Sequence, residues 1–257
     1  MQSSRSNPPK PRHPARAAAA LVLACAGLAT VPAFGLTLNE IRTASLSGDA
    51  DEAFFELAGS PGQSLDGLTY VVIGDSANSS TGTGGVIESV TSLAGLTIQS
   101  DGYFFGARAG FLLGTPDAEL TFTFESNDNV THLLVQGFTG SFGQDLDADD
   151  DGTIDTMPWT GIVDAVSIAH KSPGDTGFDH VYGTALGFST VGPSGSTILR
   201  ILRDPDATGP WIVGEAPFGE QDSPGEINTP VPEPMTGWQL LAGLAILPAL
   251  VRLTRRR

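Results

Sequence analysis

The clearest hydrophobic pattern of the chain lies in residues 52–75, EAFFELAGSPGQSLDGLTYVVIGD. Two short runs rich in aromatic and β-branched residues, FFEL and LTYVVI, flank the turn-forming sequence GSPG. Both runs are too short for helices. The pattern therefore predicts two strands joined by a turn, with Phe55, Leu57, Tyr70 and Val72 packed in the core.

Further strand-like runs follow at intervals typical of a β-sandwich with insertions. They are residues 86–90, 102–107, 119–124, 131–135, 162–168, 197–202 and 211–214. The chain contains 32 Gly and 18 Pro, and it has no long run of helix-forming residues outside its two ends. These features predict an all-β fold of roughly ten strands.

The middle of the chain is strongly acidic because the basic residues gather at its ends. Four basic residues precede residue 36 and four follow residue 234, so 5 of the 13 remain between them against all 29 acidic residues, a formal net charge of −24. Such a surface repels phosphate backbones, which predicts no nucleic-acid partner and favours cations. The only cysteine, Cys25, precedes this acidic body, so no disulfide can form within it.

Residues 1–35 have the layout of a secretory signal peptide. A basic, proline-rich start is followed by an apolar segment at 17–31 and by small residues, Ala33 and Gly35, at the −3 and −1 positions of a cleavage site. We expect cleavage after Gly35 and export of the chain. An uncleaved anchor and a lipoprotein attached through Cys25 are the alternatives.

Residues 230–257 resemble the PEP-CTERM sorting signal. The sequence VPEP at 231–234 precedes an apolar segment at 235–253 and a terminal arginine cluster. A helix of this length, at about 1.5 Å per residue, is long enough to cross a bilayer core of about 30 Å, and the arginines hold its C-terminal end in the cytoplasm. The segment is therefore a predicted transmembrane helix.

The PEP-CTERM resemblance implies a Gram-negative host and recognition by an exosortase-type sorting enzyme. The chain would be anchored in the inner membrane through this helix, cut near Pro232 to Pro234, and delivered to the cell surface or extracellular matrix. A permanent single-pass anchor is the alternative.

Six short motifs in the body occur in the order found in the bacterial lamin tail domain, and the chain resembles that family. They are NEI at 39–41, FFEL at 54–57, LDGL at 65–68, GYFF at 102–105, IVDAV at 162–166 and SPGEIN at 223–228. The resemblance implies an immunoglobulin-like antiparallel β-sandwich over residues 36–229 that serves as a binding or structural module. The segments between 115 and 161 exceed the minimal domain, which leaves strand pairing there open.

Residues 145–155, DLDADDDGTID, have the spacing of an EF-hand calcium loop when Gly152 is placed at the sixth position. The predicted ligands are Asp147, Asp149, Asp151, the carbonyl of Thr153, and Asp155. The twelfth position, normally a bidentate Glu, is Pro158, so a further ligand would come from Asp145 or Asp164. A solvated acidic turn is the alternative, but five carboxylates within nine residues repel one another without a cation.

An extracellular hydrolase, either a GDSL-type esterase or a phosphoesterase, is the alternative function. The sequence GDS at 74–76 follows a strand, as the nucleophilic serine of that esterase family does, and ND at 127–128 matches part of a second block. The mechanism needs a histidine within a D-x-x-H block to activate the serine. None of His132, His170 and His180 has an Asp three residues before it, so we expect a protein that is not an enzyme.

Two further features suggest weaker hypotheses. His170 and His180 bracket a loop and would form part of a zinc site, although no third ligand is placed beside them. Trp159 and Trp211 are candidates for stacking on sugar rings, with structural packing as the simpler role. As a whole, the sequence predicts an exported surface or matrix module with one calcium loop and with extracellular polysaccharide or surface proteins as partners.

Overall fold

The computed structural model describes residues 35–43, 52–75, 84–124, 128–193, 197–214 and 222–228. The predicted signal segment up to residue 34 and the predicted sorting tail, including its helix at 235–253, lie outside these residues. Across the described stretches the structure contains no helix with the length and apolar character that crossing a membrane requires.

The described residues form eleven β-strands in two sheets, without an α-helix, so the predicted all-β fold is confirmed. The strands are β1 (Thr37–Arg42), β2 (Phe54–Ala58), β3 (Leu68–Gly74), β4 (Val86–Ser92), β5 (Tyr103–Ala107), β6 (Ala118–Glu119), β7 (Val130–Gln136), β8 (Gly161–Ile168), β9 (Ser189–Val191), β10 (Arg200–Arg203) and β11 (Trp211–Val213). The first sheet has the order β11-β10-β1-β2-β5-β6 and the second has the order β4-β3-β7-β8-β9.

Both sheets are mixed rather than purely antiparallel, which corrects the prediction. Seven of the strand pairs are antiparallel, but β5 pairs with β6 and β8 pairs with β9 in parallel. Both parallel pairs lie at a sheet edge. A parallel neighbour needs a long connection that returns the chain to the same end, and the segments between β5 and β6 and between β8 and β9 provide it.

The two strands of the FFEL and LTYVVI runs do not pair with each other. β2 pairs with β1 and β5 in the first sheet, whereas β3 pairs with β4 and β7 in the second. The connection between them therefore crosses from one sheet to the other.

The main hydrophobic core lies between the two sheets and contains all four residues predicted for it. Phe55 and Leu57 of the first sheet and Tyr70 and Val72 of the second are each 0% exposed and belong to one cluster. The rings of Phe55 and Tyr70 stack with centroids 3.9 Å apart and planes 7° apart. The sheets thus contact each other face to face, as in a sandwich.

A second hydrophobic cluster, here called the outer cluster, covers the opposite face of the second sheet. It joins alternate residues of β3 and β7, such as Val71 and Leu133, to Leu146, Ile154 and Tyr182 from the connections around β8. Strands β3 and β7 are therefore buried on both faces. This explains why their sequences are nearly continuous apolar runs rather than alternating ones.

Two elements differ from the predicted strands. The run at 119–124 contributes only the end of the short strand β6, and Phe122 and Phe124 stack on each other with ring centroids 4.5 Å apart. Phe122 also contacts Phe55 edge-on, so residues 120–124 cover the core without belonging to a strand. Strand β9 was not predicted, because its three residues, STV, carry no recognisable pattern.

The NEI and SPGEIN motifs meet in a buried polar network at the first sheet. Oε1 of Glu56 on β2 accepts a hydrogen bond from Nδ2 of Asn39 at 2.7 Å, and Oε2 accepts one from the N–H of Gly225 at 2.6 Å. The Ser223 hydroxyl lies 3.0 Å from Oε2 of Glu40. Residues more than 180 positions apart in the chain are thereby held together.

Asn228 completes this network. Its Nδ2 donates to the carbonyls of Arg203 at 3.1 Å and Asn39 at 3.4 Å, and its Oδ1 lies 2.9 Å from the Ser223 hydroxyl. A bulge in β1 between Leu38 and Glu40 breaks the alternation of the strand, so that consecutive polar residues both reach partners. Residues 223–228, here called the closing segment, are thus attached to β1 by side-chain hydrogen bonds and not by strand pairing.

Candidate metal centre

The acidic loop at 145–155 lies between β7 and β8, on the outer face of the second sheet. Leu146 and Ile154, close to its two ends, are buried in the outer cluster. The N–H of Leu146 donates to the Gly85 carbonyl at 2.9 Å, and the Leu146 carbonyl accepts the N–H of Asp155 at 2.7 Å. These contacts fix both ends of the loop and hold the acidic residues between them in a tight turn.

The loop brings together Asp147, Asp149 and Asp151, which are the predicted positions 1, 3 and 5. One carboxylate oxygen from each lies within 4.8 Å of the other two. Asp147 is fully buried, whereas Asp149 and Asp151 are exposed. A calcium ion is held by oxygens about 2.3 to 2.6 Å away, so two ligands on opposite sides of it are about 4.6 to 5.2 Å apart. The separations in the loop fit that geometry.

Asp147 is the best fixed of the three carboxylates. Its Oδ1 accepts the N–H of Asp151 at 3.1 Å, and its Oδ2 accepts the N–H of Gly152 at 2.9 Å and the hydroxyl of Tyr182 at 2.8 Å. Burial and the contact with Asp147 raise the pKa of Tyr182, so its hydroxyl remains a donor. An ionised carboxylate has about four lone-pair sites, and Oδ1 therefore keeps one for a cation.

Gly152 is required by the shape of the turn. Its φ of +85° lies in the left-handed region, and a Cβ there would come within 2.7 Å of Nδ1 of His180. Asp150 has a φ of 55°, a left-handed conformation that Asp tolerates better than most residues. The two residues together produce the reversal that points the flanking carboxylates at one another.

The electrostatics of the loop favour a bound cation. The neighbouring Asp151 carboxylate is the main cause that raises the pKa of the exposed Asp149, and the Asp155 and Asp147 carboxylates add to it. A raised carboxyl pKa means that the negative charge is disfavoured where it stands. A divalent cation among these oxygens would relieve the repulsion.

The remaining predicted ligands lie beside this group of three. Oδ2 of Asp155 accepts the N–H of Ala148 at 2.9 Å, and the exposed Thr153 donates its N–H to Oδ1 of Asp151 at 2.8 Å. In EF-hand loops the ninth position often binds the ion through a water molecule. Asp155 occupies the ninth position of the loop spacing.

Of the two suggested extra ligands, Asp145 stays in the loop and Asp164 does not. Oδ1 of Asp145 accepts the N–H of Asp147 at 3.1 Å. Oδ2 of Asp164 instead accepts the N–H of Leu38 and Nη2 of Arg203, each at 2.9 Å. Asp164 thus bridges the second sheet to the first, on the face opposite the loop, and its suggested role as a ligand is wrong.

No sequence motif points to Tyr182, which lies 35 positions beyond Asp147. The same holds for a second acidic group, in which one oxygen each from Asp75, Asp128 and Asp179 lie within 4.8 Å of one another. No local motif marks these residues, because their proximity depends on strand pairing.

The residues considered for a hydrolase have other surroundings. Asp75 belongs to the second acidic group, and Ser76 lies outside the described residues. His132 is fully buried, its Nδ1 is hydrogen-bonded to the Tyr70 hydroxyl at 2.8 Å, and burial lowers its pKa to about 3. His132 is therefore a neutral core residue.

The two histidines considered for zinc contact different groups. Nδ1 of His170 accepts the N–H of Ile198 at 3.3 Å, while the His180 ring packs edge-on against Phe178. Neither histidine belongs to a cluster of three metal-ligating side chains in the part of the chain that the structure describes.

Both candidate tryptophans pack against the protein. Trp159 is partly buried against the outer cluster. Trp211 is 8% exposed, and the Arg203 guanidinium lies 4.6 Å from its ring centroid. These contacts fit a structural packing role for both tryptophans.

Comparison of the chain with protein-family models, with curated proteins and with solved structures finds no match.

Proposed function

We propose that this chain is an exported binding or structural module of the cell surface or extracellular matrix, and that its acidic loop binds calcium. The observation that carries the proposal is the convergence of Asp147, Asp149 and Asp151 on a loop anchored in a hydrophobic cluster. The Thr153 carbonyl and Asp155 complete the proposed ligand set. Carboxylate and carbonyl oxygens are the ligands that calcium prefers.

The overall charge supports this choice of ligand. With a formal net charge of −24 over residues 36–234, the body is self-repelling and attracts cations. A divalent ion bound only by the folded form stabilises it by about 2.7 kcal/mol when calcium is present at 100 times its Kd. Extracellular calcium sites work at about 0.1 to 1 mM, a range that suits a loop without the bidentate twelfth ligand.

We further propose the finer fold class, an immunoglobulin-like sandwich of the lamin-tail kind over residues 36–229. Support comes from the buried network that joins the NEI, FFEL and SPGEIN motifs through Asn39, Glu56 and Asn228. The three motifs take part in one hydrogen-bond network, which gives a physical reason for their occurring together.

Sorting through the signal segment and the PEP-CTERM-like tail is part of the proposal. The expected mature product, in a host with the matching exosortase-type enzyme, begins near Leu36 and lacks residues 231–257. Intact mass of the protein recovered from the cell surface tests this step. A product that still carries the C-terminal arginines would leave only a permanent membrane anchor.

The calcium test compares thermal unfolding of the full chain in EDTA, in millimolar calcium and in millimolar magnesium. Calcium should raise the Tm by several degrees more in the wild type than in the Asp147→Asn/Asp151→Asn variant. Magnesium should act less, because it demands stricter octahedral geometry and gives up its water reluctantly. Asp150→Asn is the matched control, since it removes one charge from the same loop at a position that is not a proposed ligand.

The control variant should keep the calcium response of the wild type, and its left-handed backbone suits Asn as well as Asp. If the wild type and the Asp147→Asn/Asp151→Asn variant gain the same stability from calcium, the loop is an acidic turn and the calcium part of the proposal fails. The partner is sought separately, by capture of matrix polysaccharide and surface proteins on the purified chain with and without calcium.

A further inference from the structure

A second group of acidic side chains lies at one end of the second sheet, apart from the acidic loop. Asp75 directly follows β3, Asp128 precedes β7 by two residues, and Asp179 lies in the connection after β8. Because β3, β7 and β8 are antiparallel neighbours, the end of β3, the start of β7 and the end of β8 lie side by side at the same end of the second sheet. One carboxylate oxygen from each residue lies within 4.8 Å of the other two.

Asp179 is the residue whose surroundings are incomplete. It is 1% exposed, and among the described residues no hydrogen-bond donor reaches either of its carboxylate oxygens. The Lys171 ammonium lies 4.0 Å from Oδ2, beyond hydrogen-bond distance. Lys171 donates instead to Oδ1 of Asp128 at 2.9 Å and to the Gly177 carbonyl at 2.6 Å. A buried carboxylate without a donor is costly and calls for a compensating partner.

Asn129 holds this arrangement in place. Its side chain is 0% exposed, and its Oδ1 accepts the N–H groups of His170 at 2.7 Å and Lys171 at 2.8 Å. Its Nδ2 donates to the carbonyls of Asp179 at 2.8 Å and Lys171 at 3.1 Å. All four hydrogen bonds tie the connection after β8 to the start of β7, so Asp179 is positioned beside Asp128 by the fold itself.

A carboxylate oxygen of Asp179 lies within 4.8 Å of one of Asp128. Ionised carboxylates only accept hydrogen bonds and repel each other, so a cation between the two groups would stabilise this arrangement. The three carboxylates together with Lys171 carry a formal charge of −2, and Glu88 beside Asp75 adds a further acid, so a divalent cation offsets most of the local charge. Hard oxygen donors of this kind select calcium or magnesium rather than softer metals.

We propose that Asp75, Asp128 and Asp179 bind a hard divalent cation, calcium in the first instance, at a site independent of the acidic loop. Glu88 of β4, which is 7% exposed, lies beside Asp75 and would extend the site. Gly74 makes room for it, since a Cβ at that position would overlap the Glu88 carboxyl. The site would link the connection after β8 to the end of β3, the start of β7 and strand β4.

The test measures calcium stoichiometry by titration calorimetry on the full chain, freed of metal with EDTA and then dialysed near neutral pH. The Asp147→Asn/Asp151→Asn variant lacks two of the proposed ligands of the acidic loop and should still bind one calcium ion per chain. Adding Asp179→Asn, or separately Asp128→Asn, to that variant should abolish the remaining saturable binding. Adding Glu119→Gln, an exposed acid at the opposite sheet, is the matched control and should leave it unchanged.

The proposal is overturned if the Asp147→Asn/Asp151→Asn variant takes up no calcium in the millimolar range, because a shared proton then satisfies the cluster. It is also overturned if both Asp179→Asn and Asp128→Asn leave the binding intact. The urea midpoint of each variant shows that it is folded, and the two single substitutions give independent chances of a folded protein. If the wild type and the Asp147→Asn/Asp151→Asn variant each bind one calcium ion per chain, this site is supported and the calcium site in the acidic loop is rejected. The two proposals can therefore fail independently.

Discussion

The buried carboxyl of Glu40 should make the stability of this protein fall as the pH rises from mildly acidic to neutral. Glu40 is 0% exposed on β1, with the hydroxyl and N–H of Ser223 at 3.0 Å and 3.3 Å from its Oε2. Nε of Arg200 lies 3.5 Å from Oε1. Burial raises the pKa of Glu40 to about 7, and the Arg200 charge opposes that rise only in part.

The sign and size follow from proton linkage. The pKa of Glu40 rises from 4.5 to about 7 on folding, so between these pH values the folded state binds the proton more tightly than the unfolded state. The stabilisation is fully present below pH 4.5 and is lost as the pH rises through about 7. A shift of roughly two and a half pKa units at 1.36 kcal/mol each corresponds to about 3 kcal/mol of unfolding free energy.

His132 and Glu56 are among the other buried groups that shape the pH profile of the wild type. Burial lowers the pKa of His132 from 6.5 to about 3, which makes the folded state lose stability as the pH falls below 6.5 and thus opposes the Glu40 effect. Burial and the neighbouring Glu40 raise the pKa of Glu56, which acts in the same direction as Glu40. The profile of the wild type alone therefore mixes several contributions.

The assay is urea unfolding of the wild type and of Glu40→Gln from about pH 4.5 to about pH 8. Gln is a neutral substitute for the protonated acid, and the His132 contribution cancels in the difference between the two proteins. Over this range, the stability of the variant relative to the wild type should increase by about 3 kcal/mol. Glu226→Gln, at an exposed acid of the same closing segment, is the control and should give a constant difference. A constant difference for Glu40→Gln as well would refute the reasoning.

Three further substitutions test the core, the loop and the closing segment. Leu57→Ala should cost about 2 to 5 kcal/mol of unfolding free energy as a truncation in the main core, and a loss below about 0.5 kcal/mol in urea unfolding would show that β2 is not central. Tyr182→Phe removes a buried donor to Asp147, so in EDTA it should cost about 1 to 3 kcal/mol; calorimetry should also show weaker calcium binding, and an unchanged Kd would contradict the proposed role of that hydroxyl. Asn228→Ala leaves buried carbonyls without their donor and should cost about 1 to 3 kcal/mol, whereas a neutral effect would mean that the closing segment contributes little to folding.

The sequence by itself determined most of the strands. Runs such as LTYVVI at 68–73 and THLLV at 131–135 form strands because their side chains suit a pleated surface buried on both faces. The sequence also determined the three central aspartates of the candidate metal centre. Asp147, Asp149 and Asp151 are close in sequence, and a tight turn at Gly152 is enough to bring their oxygens together.

The tertiary structure alone decided which strands became neighbours. No local pattern showed that β2 and β3 lie in different sheets, or that β6 and β9 add parallel edges. Pairing depends on how distant segments bury each other's apolar faces, and a short window of sequence carries no information about that partner. The same limit applied to Asp164, which lies in a predicted strand but turns toward Arg203 of the other sheet.

The tertiary structure also decided the contacts that surround the sites. Tyr182 reaches Asp147 because both lie over the outer cluster, and Asp75, Asp128 and Asp179 meet because three antiparallel strands have their ends at one edge. A carboxylate in an open turn and one that faces other buried carboxylates look alike in sequence. Only the fold determines how much water and how many donors each one keeps, and those determine whether it needs a cation.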